Sequence, residues 1–208
     1  MIKAIFLIMD PGATWERIIL ARRSLGQILM LYLLPMLLIV AFVEGFGLAY
    51  WGKKQPMFSI VRNFPVGEVV VFEILQLFLT LVIVFICARL VEMIGETFHG
   101  RHTYTQAFTM VAYGLSPMFL LHLLDIFPRM NPWIPWLIGI MLSAAILYQG
   151  APRVMLPDPP HAFGLYLVSV ILLTMTTGLA RFITAWYLQG KILPVQTFIS
   201  NLASHLPF

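Results

Sequence analysis

Five long apolar stretches separated by short polar segments make up most of the chain: residues 25–50, 68–89 (continuing as helix toward 96), 105–127, 133–148 and 161–188. At a rise of about 1.5 Å per residue, each approaches or exceeds the hydrocarbon thickness of a bilayer, about 30 Å. The pattern predicts an all-α, polytopic five-transmembrane-helix bundle. Residues 128–132 form a proline-punctuated turn too short to do anything but make the third and fourth spans antiparallel neighbours. Pro35, in the middle of the first span, removes a backbone donor and predicts a kink there. Ahead of that span, Asp10 suits an N-cap and Pro11 a first helical position, so an amphipathic helix is predicted over about 11–24. It puts Trp15, Ile18 and Ile19 on one side, with Arg22 beside that stripe, and reads as an interfacial helix lying on one leaflet. The organisation expected is an interfacial segment, 1–24, a five-helix membrane domain, 25–190, and a short tail, 191–208.

Composition agrees with lipid as the main solvent. The 208 residues are 60% hydrophobic and only 11% charged, against roughly 25% charged in a soluble domain, too few to clothe a water-facing surface. Net charge is +4, and Lys3, Arg17, Arg22 and Arg23 all precede the first span. That cluster predicts a cytoplasmic N-terminus and attraction to anionic headgroups. Five spans then leave Lys53, Lys54, Arg62, Arg129 and Lys191 outside. No basic run interleaves with aromatics, so nucleic acid is not an expected partner. The lone cysteine, Cys87, lies within an apolar run and rules out an intramolecular disulfide. Residues 5–9 are too short for the apolar core of a cleavable signal, and Asp10-Pro11 ends them.

Ionisable residues inside a span are the first place to look for function, because burial there costs at least about 2.5–3.5 kcal/mol on insertion scales. Glu73 falls about one turn into the second span, with Gln76 on the same side. Glu44 lies near the matching end of the first span, and Arg181 near the end of the fifth. These four are the candidate polar intramembrane site. The bland alternative places both glutamates at headgroup level or pairs them with Arg62 or Arg181. Arg89, Glu92 and Glu96 can pair along one helix face. His122 and Asp125, like His99 and His102, stand three apart, but two ligands are half of what a tight metal site needs. No metal, cofactor or catalytic residue is therefore expected: Ser116 lacks a glycine elbow and Cys87 lacks a base at a recognisable spacing.

Two short signatures remain, Ala112-Tyr113-Gly114-Leu115-Ser116-Pro117 and Tyr148-Gln149-Gly150-Ala151-Pro152, with Phe127-Pro128 between them and Pro11 and Trp15 near the start. Together they resemble the Yip1-domain family of integral membrane proteins, in particular its small bacterial members. Read physically, Gly114 permits close helix approach, Pro117 bends the helix, and Gly139 with Ser143 makes a small-xxx-small pair across the hairpin. Gly150 suits a left-handed cap, with Pro152 stopping the helix and residues 153–160 forming a connector. Tyr113 and Tyr148 would offer hydroxyls to exposed carbonyls.

The resemblance implies a non-enzymatic protein of the bacterial inner membrane. Its role would be membrane organisation or trafficking, through lipid, another membrane protein or self-association. Eukaryotic members are linked to small GTPases partly through a longer cytosolic region that is not in this sequence, so that partner is not expected. The alternative is a small transporter, channel or lipid scramblase using the intramembrane Glu and Arg residues. The five-span layout makes a direct prediction. Single cysteines at residues 51 and 130 should react with an impermeant maleimide from the same side of the membrane, and labelling from opposite sides would refute the layout.

Overall fold

Five helices long and apolar enough to cross a membrane carry the fold in the computed structural model, which describes residues 2–54, 61–98 and 102–188. Helices α1 (Ile2–Met9) and α2 (Pro11–Leu20) precede them. The spans are α3 (Leu25–Tyr50), α4 (Val66–Thr97), α5 (Tyr104–Ile126), α6 (Trp133–Met155) and α7 (Pro159–Leu188). Between α3 and α4, β1 (Lys53–Lys54) and β2 (Val61–Arg62) pair as a two-residue antiparallel ladder, Lys53 opposite Arg62. The protein is an all-α, multi-pass membrane bundle. His99, Arg101, the side chain of Arg62 and the tail 191–208 lie outside the described residues.

Neighbouring spans are antiparallel, so α3, α4, α5, α6 and α7 place the ends at Leu25, Thr97, Tyr104, Met155 and Pro159 on one face, here the N-terminal face. Helix α4, at 32 residues, is about 48 Å long and outreaches the bilayer. Its last turns carry the Arg89–Glu92 ion pair, and the His102 ring nitrogen Nε2 lies 3.0 Å from the Glu92 carbonyl. Helix α5 is the most enclosed, with Ala107, Phe108, Met110–Leu115 and Phe119 all buried. The outer spans α4, α6 and α7 turn Phe78, Leu137, Met141, Met175 and Leu179 outward toward lipid.

Pro35, Pro117 and Pro152, all within the spans, meet three different local responses. Ahead of Pro35, α3 widens into a π turn over Leu29–Leu33, where Leu34 donates to the Leu29 carbonyl. The extra residue re-routes the backbone ladder just ahead of the proline's missing donor. Helix α5 does break, at Leu115, into Tyr104–Gly114, Ser116–Leu121 and a tighter last turn, His122–Ile126. Pro117 cannot donate to the carbonyl four residues back, and the Ser116 hydroxyl donates to that Tyr113 carbonyl instead.

Three expectations need correction. The helix predicted over 11–24 is α2 alone. It stops at Leu20, is followed by Arg22 in the left-handed region (φ 40°), and is preceded by the separate α1. Nor does its apolar side face lipid: Thr14, Trp15 and Ile18 are buried against the bundle. Gly150 is no cap and Pro152 no stop, since α6 runs on to Met155, and the left-handed cap is Leu156 (φ 47°). What Pro152 interrupts is local. It takes one donor from the backbone, and beside the gap the Arg153 guanidinium donates to the Gln149 carbonyl at 2.8 Å.

Gly150 serves close approach instead. The Trp15 indole lies on it, donating to the Ile146 carbonyl at 3.1 Å, and any Cβ at 150 would overlap the ring. Gly150→Ala should therefore lower the unfolding midpoint in detergent by the equivalent of about 1–3 kcal/mol. Gly26→Ala, which meets nothing within 4 Å, should leave the midpoint unchanged or raise it. Equal effects from the two would show that Trp15 is not seated as described.

Candidate functional site

The intramembrane polar residues gather at the end opposite the N-terminal face. Glu44 sits six residues before the end of α3, buried, and accepts from Gln76 Nε2 of α4 at 2.6 Å. Arg181 of α7, only 6% exposed, pairs with Asp125 at the foot of α5 and donates to the Pro132 carbonyl at 3.0 and 3.3 Å. Lys53, from the loop after α3, donates to the Asp125 carbonyl at 2.9 Å and places its ammonium 3.8 Å from the carboxylate. Burial pushes this lysine below its ordinary range, and the Asp125 and Glu44 carboxylates oppose that. Asp125, Arg181 and Lys53 all act electrostatically on Glu44, so the groups form one cluster.

Glu73 completes it differently. Its stem crosses Gly45 of α3, and both of its oxygens are buried with no hydrogen-bond partner. It forms the polar floor of an apolar groove between α3 and α4 lined by Leu38, Phe42, Phe46, Val70 and Ile74. Among the described side chains the count of charges is informative: Glu44, Glu73 and Asp125 stand against Lys53 and Arg181. Three carboxylates facing two cations are neutral only with one proton or one further cation bound.

Beside the cluster, inside the bundle, lies a cavity of about 30 Å³ lined by Gln76, His122, Trp136, Thr177 and Arg181. A void of that size admits one or two waters. Gln76 Oε1 and His122 Nε2 are buried there without partners, while Trp136 Nε1 donates to Thr177 Oγ1 at 3.3 Å. His122 and Asp125 do not act as a pair, because Asp125 is held by Arg181 and Lys53. Among the described residues no three of His, Cys, Asp and Glu converge on one point.

The structure thus brings Glu44 and Gln76 together, stacks Glu73 beside them, and joins Arg181 to a carboxylate on another helix. Asp125 and Lys53 were missed as members. The first looked like half of a metal pair and the second like a loop charge, although an unbalanced Arg181 in a span already implied some inward carboxylate.

The signature residues meet at the other end. Tyr113 stacks on Tyr32 (centroids 4.1 Å) and meets the edge of Trp15 (6.5 Å). Tyr32 and Ser116 share a hydrogen bond between hydroxyls, and a Cβ on Gly114 would strike Leu147 of α6. Gly139 does for the hairpin what Gly150 does for Trp15: a Cβ there would come within 2.7 Å of Met118 Cα. Tyr148 stands apart, 60% exposed against Tyr166, and offers its hydroxyl to no helix end. Pro11 starts α2 behind the Asp10 cap, whose carboxylate accepts from Ala13 N at 3.2 Å.

The family model for the Yip1 domain matches residues 5–182. No curated protein and no solved structure matches the chain.

The Asp125–Arg181 pair yields a test of the cluster. Arg181→Met strands a buried carboxylate and should cost about 3–5 kcal/mol of stability. Combining it with Asp125→Leu should recover much of that loss, read as unfolding midpoints in detergent. Strict additivity of the two substitutions would show that they do not share a charge.

Proposed function

The chain belongs to the Yip1 domain family, and we propose that it is a non-enzymatic organiser of its own membrane, acting on the bilayer and through it on other membrane proteins or copies of itself. One observation carries this reading: the N-terminal face holds two extra helices that the opposite face lacks among the described residues. Helices α1 and α2, of 8 and 10 residues, are too short to cross, since a crossing takes about 20. They are nevertheless half sunk. Helix α1 packs on α6 and on the Ser116–Leu121 segment of α5, which begins twelve residues below Tyr104, or roughly 18 Å along the axis.

Their inner sides, Ala4, Leu7, Trp15 and Ile18, are buried in the bundle. Their outer sides present Ile5, Phe6, Met9 and Leu20, between 49% and 79% exposed, and lipid is the medium that accepts such surface. The described residues therefore occupy more of one leaflet than of the other, which is the shape of a wedge. The positive residues near the start support placing that leaflet on the cytoplasmic side of an inner membrane. The same features support treating 1–24 as a unit beside the five-helix domain, 25–190, with 191–208 as a tail. A non-enzymatic role is supported by the occupation of the obvious nucleophiles. Ser116 is bonded to Tyr32 and a carbonyl, and Cys87 Sγ lies 3.1 Å from Thr176 Oγ1.

A second reading, a small transporter or scramblase, draws support from the unpartnered Glu73 and the small cavity beside Gln76. One reconstitution separates the two. The full chain in liposomes should shift vesicles toward smaller, more curved shapes in cryo-electron micrographs as protein density rises. Phe6→Ser with Met9→Ser should weaken that effect without unfolding the bundle. Proton, ion or labelled-lipid flux above that of empty vesicles, abolished by Glu73→Gln, would overturn the organiser reading in favour of transport.

A further inference from the structure

At the N-terminal face, a cleft of about 430 Å³ opens between the α2–α3 junction and the first turns of α5. Its chemistry is one-sided. Arg22 and Arg23 line its mouth, Gln106, Thr109 and Tyr113 run down one wall, Ile18 and Ile28 form the other, and no carboxylate is among the described residues lining it. The polar wall follows helix periodicity. Thr103, Gln106, Thr109 and Tyr113 fall at three- and four-residue steps, so one face of α5 is polar from its start to about 15 Å down the helix.

Three details mark the cleft as built to hold an anion. First, the Tyr113 hydroxyl is buried and has no hydrogen-bond partner, although the ring itself is clamped between Tyr32 and Trp15. Arg23 comes within side-chain hydrogen-bonding range of that hydroxyl without meeting the geometry of a formed bond, so cation and hydroxyl share one part of the cleft. Second, Gln106 turns its carbonyl oxygen back to Thr103, accepting from N at 2.8 Å and from Oγ1 at 3.2 Å. Its amide NH₂ group is thereby left as a donor, at a helix N-terminus whose dipole favours negative charge. Third, Arg22 occupies a left-handed backbone position (φ 40°) just past the end of α2, where glycine is the comfortable residue and any side chain costs about 1–2 kcal/mol.

A cation would complement the end of α2 from several neighbouring positions, and that ordinary role needs neither the cleft nor the free hydroxyl. Lys3 adds a third positive charge nearby. Burial, and then the like charge of Arg23, hold it below the ordinary lysine range. Among the described residues that line the cleft, none carries a negative charge to compensate that field.

We propose that this cleft binds a phosphate group, with Arg22 and Arg23 holding the phosphate at the mouth and Gln106 and Tyr113 donating below it. The shared chemistry is that of a phospholipid headgroup or of a free phosphate, and the apolar wall of Ile18 and Ile28 suits the lipid. The site stands apart from the wedge: it would take the same ligand in a protein that left curvature unchanged.

Native mass spectrometry of the delipidated full chain in detergent provides the test. The probes are phosphatidylglycerol, diacylglycerol and inorganic phosphate. Phosphatidylglycerol should bind saturably with one tight site, diacylglycerol should not, and Arg23→Gln should weaken the tight site about tenfold. Tyr113→Phe keeps the ring stack and should weaken it less, by about threefold. Arg22→Gly should hold or raise the unfolding midpoint while lowering binding, which separates recognition from folding. Saturable binding of inorganic phosphate with the same sensitivity, and no gain from the lipid chains, would assign the site to a free anion. Two results would overturn the proposal: no saturable binding of either phosphate probe, or an equal loss from Arg153→Gln, a charge on the same face outside the cleft.

Discussion

A tryptophan laid across a glycine holds the N-terminal face together. The Trp15 indole reaches into the bundle, gives its N–H to the Ile146 carbonyl and fills the space left where residue 150 has no side chain. Both short signatures of the chain shape that socket. One provides Tyr113, whose ring meets Trp15 and Tyr32, and Gly114, which lets Leu147 close in from α6. The other provides Gly150. In water such a contact would be one burial among many. In lipid, burying one more apolar side chain gains little, so helices associate through close fit and through hydrogen bonds that hydrocarbon cannot offer. The indole supplies both at once.

Backbone bookkeeping in hydrocarbon explains the irregular helices. A carbonyl freed by proline has no water to turn to. At Pro117 a neighbouring hydroxyl takes over the freed carbonyl, and at Pro35 a π turn redistributes the ladder. At Pro152, near the headgroup level, an arginine serves the adjacent carbonyl. Each remedy uses what lies beside the gap: a hydroxyl one residue away, a widened turn, or the long cation that follows the proline.

The spans were legible because a bilayer imposes one length and one polarity on every crossing, and residues 25–50 and 133 onward show it plainly. Helix α1 was not, since its eight residues, seven of them apolar, fall below any spanning length and end at Asp10-Pro11. Gly150-Ala-Pro152 looked like a stop signal because glycine and proline end helices in water, whereas here Trp15 demands the glycine. At the opposite end, Glu44, Glu73, Gln76 and Arg181 were visible as ionisable or amide groups in apolar runs. Their partners were not. Spacing along one helix told us that His122 and Asp125 share a face, but only packing between helices brings Arg181 and Lys53 to that carboxylate. Helix-to-helix pairing is set by rotation about each axis, and that depends on small residues such as Gly47, whose Cβ would sit 2.9 Å from the Ile126 backbone.

The two ends of the bundle handle charge in opposite ways, and the contrast bears on which end meets the outside. Around Asp125 the protein supplies its own counter-ions, closes them behind side chains, and leaves room for little more than a water. Such a cluster fixes the register of α3, α4, α5 and α7 through groups that find no equivalent partner if a helix rotates. Around Arg22 the sequence does the reverse. It places a side chain where the backbone prefers none, beside a second arginine and within reach of a buried tyrosine hydroxyl, in an open cleft at the N-terminal face. Asp125 is paired internally, by Arg181 and Lys53, and serves the fold, whereas the arginines of the cleft face no carboxylate among the described residues that line it, a setting that an anion from outside would complete.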